Sequence, residues 1–521
     1  MDLVVTNATV VDGTGAPALP GWVAVDRDRI AAVGRRADEP PAAARTIDAR
    51  GEVVAPGFVD VHNHSDLSAF VLPTMPSTVR QGVTSIVVGN CGSSPFPLSS
   101  WDEGLSLAYA ASSADHPRPA WTSWGDYLDA IDAAQPAVNV ATLVGHGSVR
   151  REVLGEERRP PTDDELARMR TLVREAVADG AVGLSTGLIY VPGIYSDTDE
   201  VIALARAAAG KGGLYASHIR GEGRDLFRAV DEALRIGAAA GLRVHISHLK
   251  CETSLTWGRA DELLARVRDA PDATGDQYPY EAWNSSLSSL LPPWAPAGDI
   301  AHVAAQAHER LRAAVEDGEP DFQSSVDGVG WDRIVLETAP EARWRGRSVA
   351  DVAEDLGVAP FDAMIELLTA DPEISCIGHA MAPEDVRAIL ADPDVFVASD
   401  ASATAPDGPG GELPVHPRSY GTFPRALSLA RDERSLPLEA MVRTMTSLPA
   451  DRFGLTGRGR IESGAFADLV VFDPETIRDR ATFDDPHVFP DGISAVIVNG
   501  RVAWSTDAPS ITRAGRALRR S

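Results

Sequence analysis

His62 and His64 stand two apart at the close of an apolar run, in the stretch Val59-Asp60-Val61-His62-Asn63-His64-Ser65-Asp66. Alternate side chains of a strand share a face, so two imidazoles at this spacing can grip one metal ion. The same pattern, a short apolar run ending in a residue with electrons to donate, recurs down the chain. Cys91 lies in Gly89-Asn90-Cys91-Gly92, His146 in Gly145-His146-Gly147, and His218 in Tyr215-Ala216-Ser217-His218. His248 ends Val244-His245-Ile246-Ser247-His248, and Asp400 ends Phe396-Val397-Ala398-Ser399-Asp400. Thiolate and imidazole together favour zinc.

Cys91, His218 and His248 make three ligands with one position open, the layout of a catalytic site rather than a closed structural one. An ion held so polarises a carbonyl and makes hydroxide available near neutral pH. Asp400 is then the natural general base, and afterwards the proton donor to a leaving amine. His62 and His64 either hold a second, weaker metal with Cys91 bridging, or shape the site without one. His146 is expected to stand behind the ligands or to face the substrate. His245 is out of phase with His248 and does not belong to the set. Of the 48 basic residues only Lys211 and Lys250 are lysines, and Lys250 follows His248 by two positions. A lysine kept there suggests work for a compact, flexible ammonium.

These residues meet only if the fold brings strand ends together. Short apolar runs alternate with helical patterns across roughly 56–450, which argues parallel βα units. Strands are expected at 58–61, 85–88, 138–144, 182–184, 214–217, 244–247, 273–277 and 395–399. That is the tally of a (β/α)8 TIM-like barrel, whose active site lies at the C-terminal ends of the strands. A ninth run, 374–378, is expected to belong to a loop insertion. The irregular segment 281–375, with Pro292-Pro293-Trp294-Ala295-Pro296 and a helix near 301–317, reads as a lid or side wall. Both chain ends, 1–55 and 451–521, are rich in short strands and turns, and are expected to close one small β-sandwich domain on a barrel domain of 56–450. The final basic residues read as a frayed tail.

Composition narrows the partners. With 521 residues, 44% of them hydrophobic, the chain can bury a large core. A formal net charge of −27 disfavours nucleic acid and anionic membranes. No run of apolar residues is long enough to span a bilayer, and no secretory leader is visible. Three cysteines do not make a disulfide framework, so the cytoplasm is the expected compartment.

The chain resembles the N-acyl-D-amino-acid deacylase (D-aminoacylase) family of the amidohydrolase superfamily. The likeness rests on Pro56-Gly57-Phe58-Val59-Asp60-Val61-His62-Asn63-His64, on Gly89-Asn90-Cys91-Gly92, and on Gly183-Leu184-Ser185-Thr186-Gly187-Leu188-Ile189-Tyr190. It continues through Ser217-His218-Ile219-Arg220, Ile246-Ser247-His248-Leu249-Lys250, Tyr278-Pro279-Tyr280 and His416-Pro417-Arg418-Ser419-Tyr420. The resemblance implies a small-molecule N-acyl-D-amino acid as substrate, and hydrolysis of its linear amide. It implies one zinc held tightly by Cys91, His218 and His248, a weaker site at His62 and His64, and Asp400 as base. It also implies that Lys250, Tyr280, Ser286 and Arg418 bind the substrate's α-carboxylate. Ile189, Tyr190, Met381 and Trp294 are expected to form a mostly apolar side-chain pocket, favouring a hydrophobic D-residue over an acidic one. Asn63 and Leu249 depart from the family pattern, which often has threonine and a basic residue there. Two rivals remain: a cyclic amidase of the dihydroorotase or hydantoinase kind, disfavoured by a cysteine in place of a modified lysine, and an inert barrel acting as a scaffold.

Overall fold

The computed structural model describes residues 1–97, 121–319, 322–408, 411, 413 and 415–520. Eight strands form a parallel sheet in chain order: β1 (Phe58–Asp60), β2 (Val83–Val88), β3 (Asn139–Gly145), β4 (Gly183–Gly187), β5 (Leu214–His218), β6 (Arg243–Ile246), β7 (Ala273–Gln277) and β8 (Phe396–Val397). All eight runs expected from the sequence are strands, shifted only at their ends. Inward-facing Val59, Val87, Leu143, Leu214, Ala216 and Phe396 form a buried cluster within the barrel. The helices between strands bury one face each. Asp163–Asp179 begins on a capping box between Thr162 and Glu165 and buries Met169, Val173, Ala176 and Val177.

A single buried carboxylate closes the ring between β8 and β1. Asp60 accepts hydrogen bonds from Ser399 N (2.9 Å), Ser399 Oγ (2.6 Å) and Asn63 Nδ2 (2.8 Å). Just beyond it, Asp400 N donates to His62 O (2.8 Å) and His64 N donates to Ala401 O (2.9 Å). The first histidine pair and Asp400 are thereby held on adjacent strand ends, although 336 positions separate His64 from Asp400.

The chain ends form a second, eight-stranded sheet. It contains Leu3–Val10, Leu19–Asp26, Arg29–Arg35, Arg45–Asp48 and Val53–Pro56 from one end and Leu469–Phe472, Ile493–Val498 and Arg501–Ser505 from the other. Alternation explains how it docks. Leu469 and Val471 face the small unit's own core, whereas Val470 and Phe472 pack into the main core with Phe58 and Val83. The last residues are not frayed: Ala517–Leu518 pairs in parallel with β3, and Arg519 bridges Asp129 and Asp132 at 2.6 Å each. The arginines that suggest a loose tail are anchors.

The insertion between β7 and β8 carries an antiparallel sheet of Trp283–Ser286, Ile334–Leu336 and Ser375–Gly378. The ninth run therefore lies outside the barrel, and its sheet walls one side of the barrel mouth. No described helix is long and apolar enough to cross a membrane.

Candidate metal and substrate site

The C-terminal strand ends gather the thiol and imidazole groups into one cluster. Cys91 Sγ lies 3.2 Å from His62 Nε2, 3.7 Å from His218 Nδ1 and 3.8 Å from His248 Nε2. His218 Nδ1 and His248 Nε2 are 2.8 Å apart. Asp400 Oδ1 lies 3.2 Å from His62 Nε2 and 3.0 Å from His64 Nε2. The backbone is strained where these groups are presented: Cys91, His248 and Asp400 have φ of 52°, 36° and 50°, in the left-handed region. Such positions cost of order 1 kcal/mol each and persist where the surroundings impose them. At Cys91 the surroundings are backbone. A Cβ on Gly187 would fall 2.1 Å from Cys91 O, and one on Gly92 would fall 2.6 Å from Gly187 N. Only glycine lets the cysteine turn lie against β4.

The donor set fits zinc. Tetrahedral zinc with ordinary bond lengths has a sulfur–nitrogen edge of about 3.6 Å and a nitrogen–nitrogen edge of about 3.3 Å. The triangle of Cys91, His218 and His248 matches the first and is slightly tighter on the second. The charge balance agrees. Burial pushes the Cys91 thiol up, but His62, His218 and His248 outweigh it and hold the thiol well below its ordinary range. Burial likewise works against protonation of His62 and His64, yet the nearby anions win. Cys91, Asp400 and Asp276 hold His62 well above its usual value, and Asp400 and Cys91 bring His64 to about 9. A pocket whose anions keep protons on buried imidazoles is one where a divalent cation takes the protons' place. Burial raises the Asp400 carboxyl, but Arg418 and His62 overcome it and keep Asp400 ionised. Arg418 Nη1 stands 2.8 Å from Asp400 Oδ2, within the site.

Two carboxylates that sequence reasoning missed support the ligands from behind. Asp276, at the end of β7, accepts from His248 N (2.9 Å), lies 2.7 Å from His245 Nε2 and stands 3.5 Å from His62 Nδ1. His245 thus serves Asp276 rather than the metal cluster. Glu222 lies 3.0 Å from His248 Nδ1 and accepts from Lys250 Nζ at 2.9 Å with each oxygen. The ring nitrogen of His248 that faces away from Cys91 is therefore oriented by a carboxylate. The only sequence signal for Glu222 is its place four residues after His218. Glu222→Gln is expected to weaken zinc retention by about 10–100-fold, measured by competition with a chromophoric chelator. Wild-type retention would remove Glu222 from this role.

A cavity of about 550 Å³ opens over the cluster. Ile189, Tyr190, Lys250, Ser286 and Arg418 line it, together with Cys91, His64, His218, His248 and Asp400. Four expectations are corrected. Tyr280 turns away: its hydroxyl donates to Asp479 Oδ2 (3.5 Å) and Arg425 stacks on its ring. Tyr278 stands nearer the cations, with Arg418 4.8 Å and Lys250 5.9 Å from its ring centre, and its buried hydroxyl has no hydrogen-bond partner among the described residues. Met381 is 2% exposed and bridges Glu252 within the core, outside the cavity wall. Trp294 donates to Glu319 (2.7 Å) and also lies outside the wall. His146 starts the helix His146–Leu154, which carries its ring to Glu200 (3.0 Å) and away from the mouth.

A family model described as the amidohydrolase family matches residues 45–503. A D-aminoacylase from Alcaligenes xylosoxydans xylosoxydans is 37% identical over 534 residues, covering 100% of this chain and 98% of the relative. An N-acyl-D-glutamate deacylase from the same organism is 36% identical, covering 100% of this chain and 97% of the relative. Among solved structures, the N-acyl-D-glutamate deacylase of Bordetella bronchiseptica, complexed with zinc and a phosphonate mimic of the tetrahedral intermediate, is 34% identical. It superimposes with a TM-score of 0.83 over 100% of this chain and 99% of that one.

Proposed function

The chain belongs to the amidohydrolase family, in its N-acyl-D-amino-acid deacylase branch, and from that premise we propose that it hydrolyses the amide of N-acyl-D-amino acids to a carboxylate and a free D-amino acid. The observation that carries this reading is the meeting of Cys91, His218 and His248 beside Asp400 in a cavity that also holds Lys250 and Arg418. Zinc is the cofactor. Cys91, His218 and His248 would hold one ion, and His62 and His64 would offer a second, weaker place. When bound, zinc supplies Lewis acidity at the amide carbonyl and a more acidic water.

The protein's own groups do the rest. Arg418, and His62 beyond it, keep Asp400 ionised despite its burial, so it accepts a proton from the attacking water and returns it to the departing nitrogen. Lys250 and Arg418 hold the α-carboxylate, with Ser286 beside them on the cavity wall. That grip fixes the α-carbon relative to Asp400 and so discriminates handedness. The insertion's wall keeps bulk water from one side of the mouth. Ile189 and Tyr190 remain as an apolar wall, which with the carboxylates nearby supports a neutral, hydrophobic side chain over an acidic one. Three free cysteines support a reducing compartment, which we take to be the cytoplasm.

A matched panel of N-acetyl-D- and N-acetyl-L-amino acids tests the reading. The D-forms are expected to react at least about 100-fold faster in kcat/KM. Equal rates for both hands, or turnover confined to cyclic ureides, would overturn it.

A further inference from the structure

The cavity over the metal ligands adjoins a larger one. The second has a volume of about 1010 Å³ and lies between the loop after β4 and the segment that follows β5. The two share Ile189, Glu222, Glu252, Ser289 and Ser325, which form a neck between them. The space beyond the neck far exceeds what an acetyl group needs.

The neck carries two carboxylates in different states. Glu222 is compensated, with Lys250 on both its oxygens and His248 beside it. Glu252 is 7% exposed and accepts from Ser325 Oγ, and among the described residues no arginine or lysine pairs with it. Lys250, the nearest cation by sequence, lies on Glu222 and is the one assigned to the substrate's α-carboxylate. Five arginines line the outer chamber beyond the neck, and of these Arg159 bridges Glu165, Arg220 bridges Glu232 at 2.9 Å and Arg228 bridges Asp225 at 2.9 Å; none of the five pairs with Glu252. Burial, reinforced by Glu222, pushes the Glu252 carboxyl up to about 7. A further anion brought into this neck meets two carboxylates, and none of the five residues that form the neck is a cation, in surroundings where charges are poorly screened.

We infer that the outer chamber belongs to the substrate-binding space, and that Glu252 at the neck admits an uncharged distal group of the substrate while rejecting a carboxylate. The inference rests on the deacylase reading and deepens it. The distal group reaches the neck either from the amino-acid side chain or from the acyl moiety, and the substrates chosen separate these. Rates are compared at about pH 8.5, above the Glu252 range, for N-acetyl-D-leucine, N-acetyl-D-glutamate and N-succinyl-D-leucine. Wild type is expected to favour N-acetyl-D-leucine. Glu252→Gln keeps the Ser325 hydrogen bond and is expected to narrow the preference over one acidic substrate by about tenfold or more. Gain on N-acetyl-D-glutamate places the side chain at the neck; gain on N-succinyl-D-leucine places the acyl group there.

Ser289→Asp, at a partly exposed neck position, is expected to widen the same preference, and gives an answer if Glu252→Gln fails to fold, as checked by its Tm. Preferences unmoved by both variants would overturn the inference while leaving the deacylase reading intact. Failure of wild type on N-acetyl-D-leucine would sink both.

Discussion

Asp400→Asn lowers kcat by about 10²–10⁴-fold and leaves zinc content at the wild-type level: that is the expected result if Asp400 is the proton carrier. Asp400 is 8% exposed, and burial alone would favour its neutral form. Arg418 at 2.8 Å and His62 at 3.2 Å reverse this, so the carboxylate is charged and ready to accept a proton. Asparagine keeps the shape and an oxygen for Arg418, and it removes the basicity. With Cys91, His218 and His248 as the proposed tight zinc ligands, metal should stay. Wild-type turnover would remove Asp400 from the mechanism, whereas loss of zinc together with activity would make Asp400 a ligand instead.

Cys91→Ser is expected to lose both zinc and activity, with a drop of about 100-fold or more in metal affinity after dialysis against a weak chelator. Serine fits the same left-handed backbone and the same glycine-lined gap beside Gly92 and Gly187. What it lacks is an acidity that three imidazoles can draw into range. The Cys91 thiol is held well below its ordinary value by His62, His218 and His248 despite burial, whereas a hydroxyl in that place stays protonated. Thermal melts of the metal-free proteins separate metal loss from misfolding. Full zinc occupancy in Cys91→Ser, measured by elemental analysis, would contradict the assignment.

The barrel is legible because most of its strands are short apolar runs that give way to polar residues, and the residues at or just past those breaks are the ones the mouth presents. His62, Cys91, His218, His248 and Asp400 were found by that rule alone. It fails where the chain leaves the strand. β7 stops at Gln277, so alternation no longer relates Tyr278 to Tyr280, and Tyr280 goes to Asp479, 199 positions away. His146 obeys the strand-end pattern but begins a helix at once, and the helix carries its ring to Glu200. Asp276 and Glu222 carry no strand-end signal: one lies within β7 and the other four residues beyond β5. Their work, orienting the far side of His62 and His248, depends on contacts between strands that spacing does not encode. Met381 looked like pocket wall because it is apolar and near the mouth in sequence. The bridge to Glu252 places it in the core.

Diffraction data collected at the zinc absorption edge, from protein purified with zinc supplied, test the central claim most directly. The account expects a strong anomalous peak about 2.3 Å from the sulfur of Cys91 and about 2.1 Å from a ring nitrogen of each of His218 and His248. A peak that leaves the sulfur of Cys91 uncoordinated, or zinc bound only elsewhere on the molecule, would contradict it.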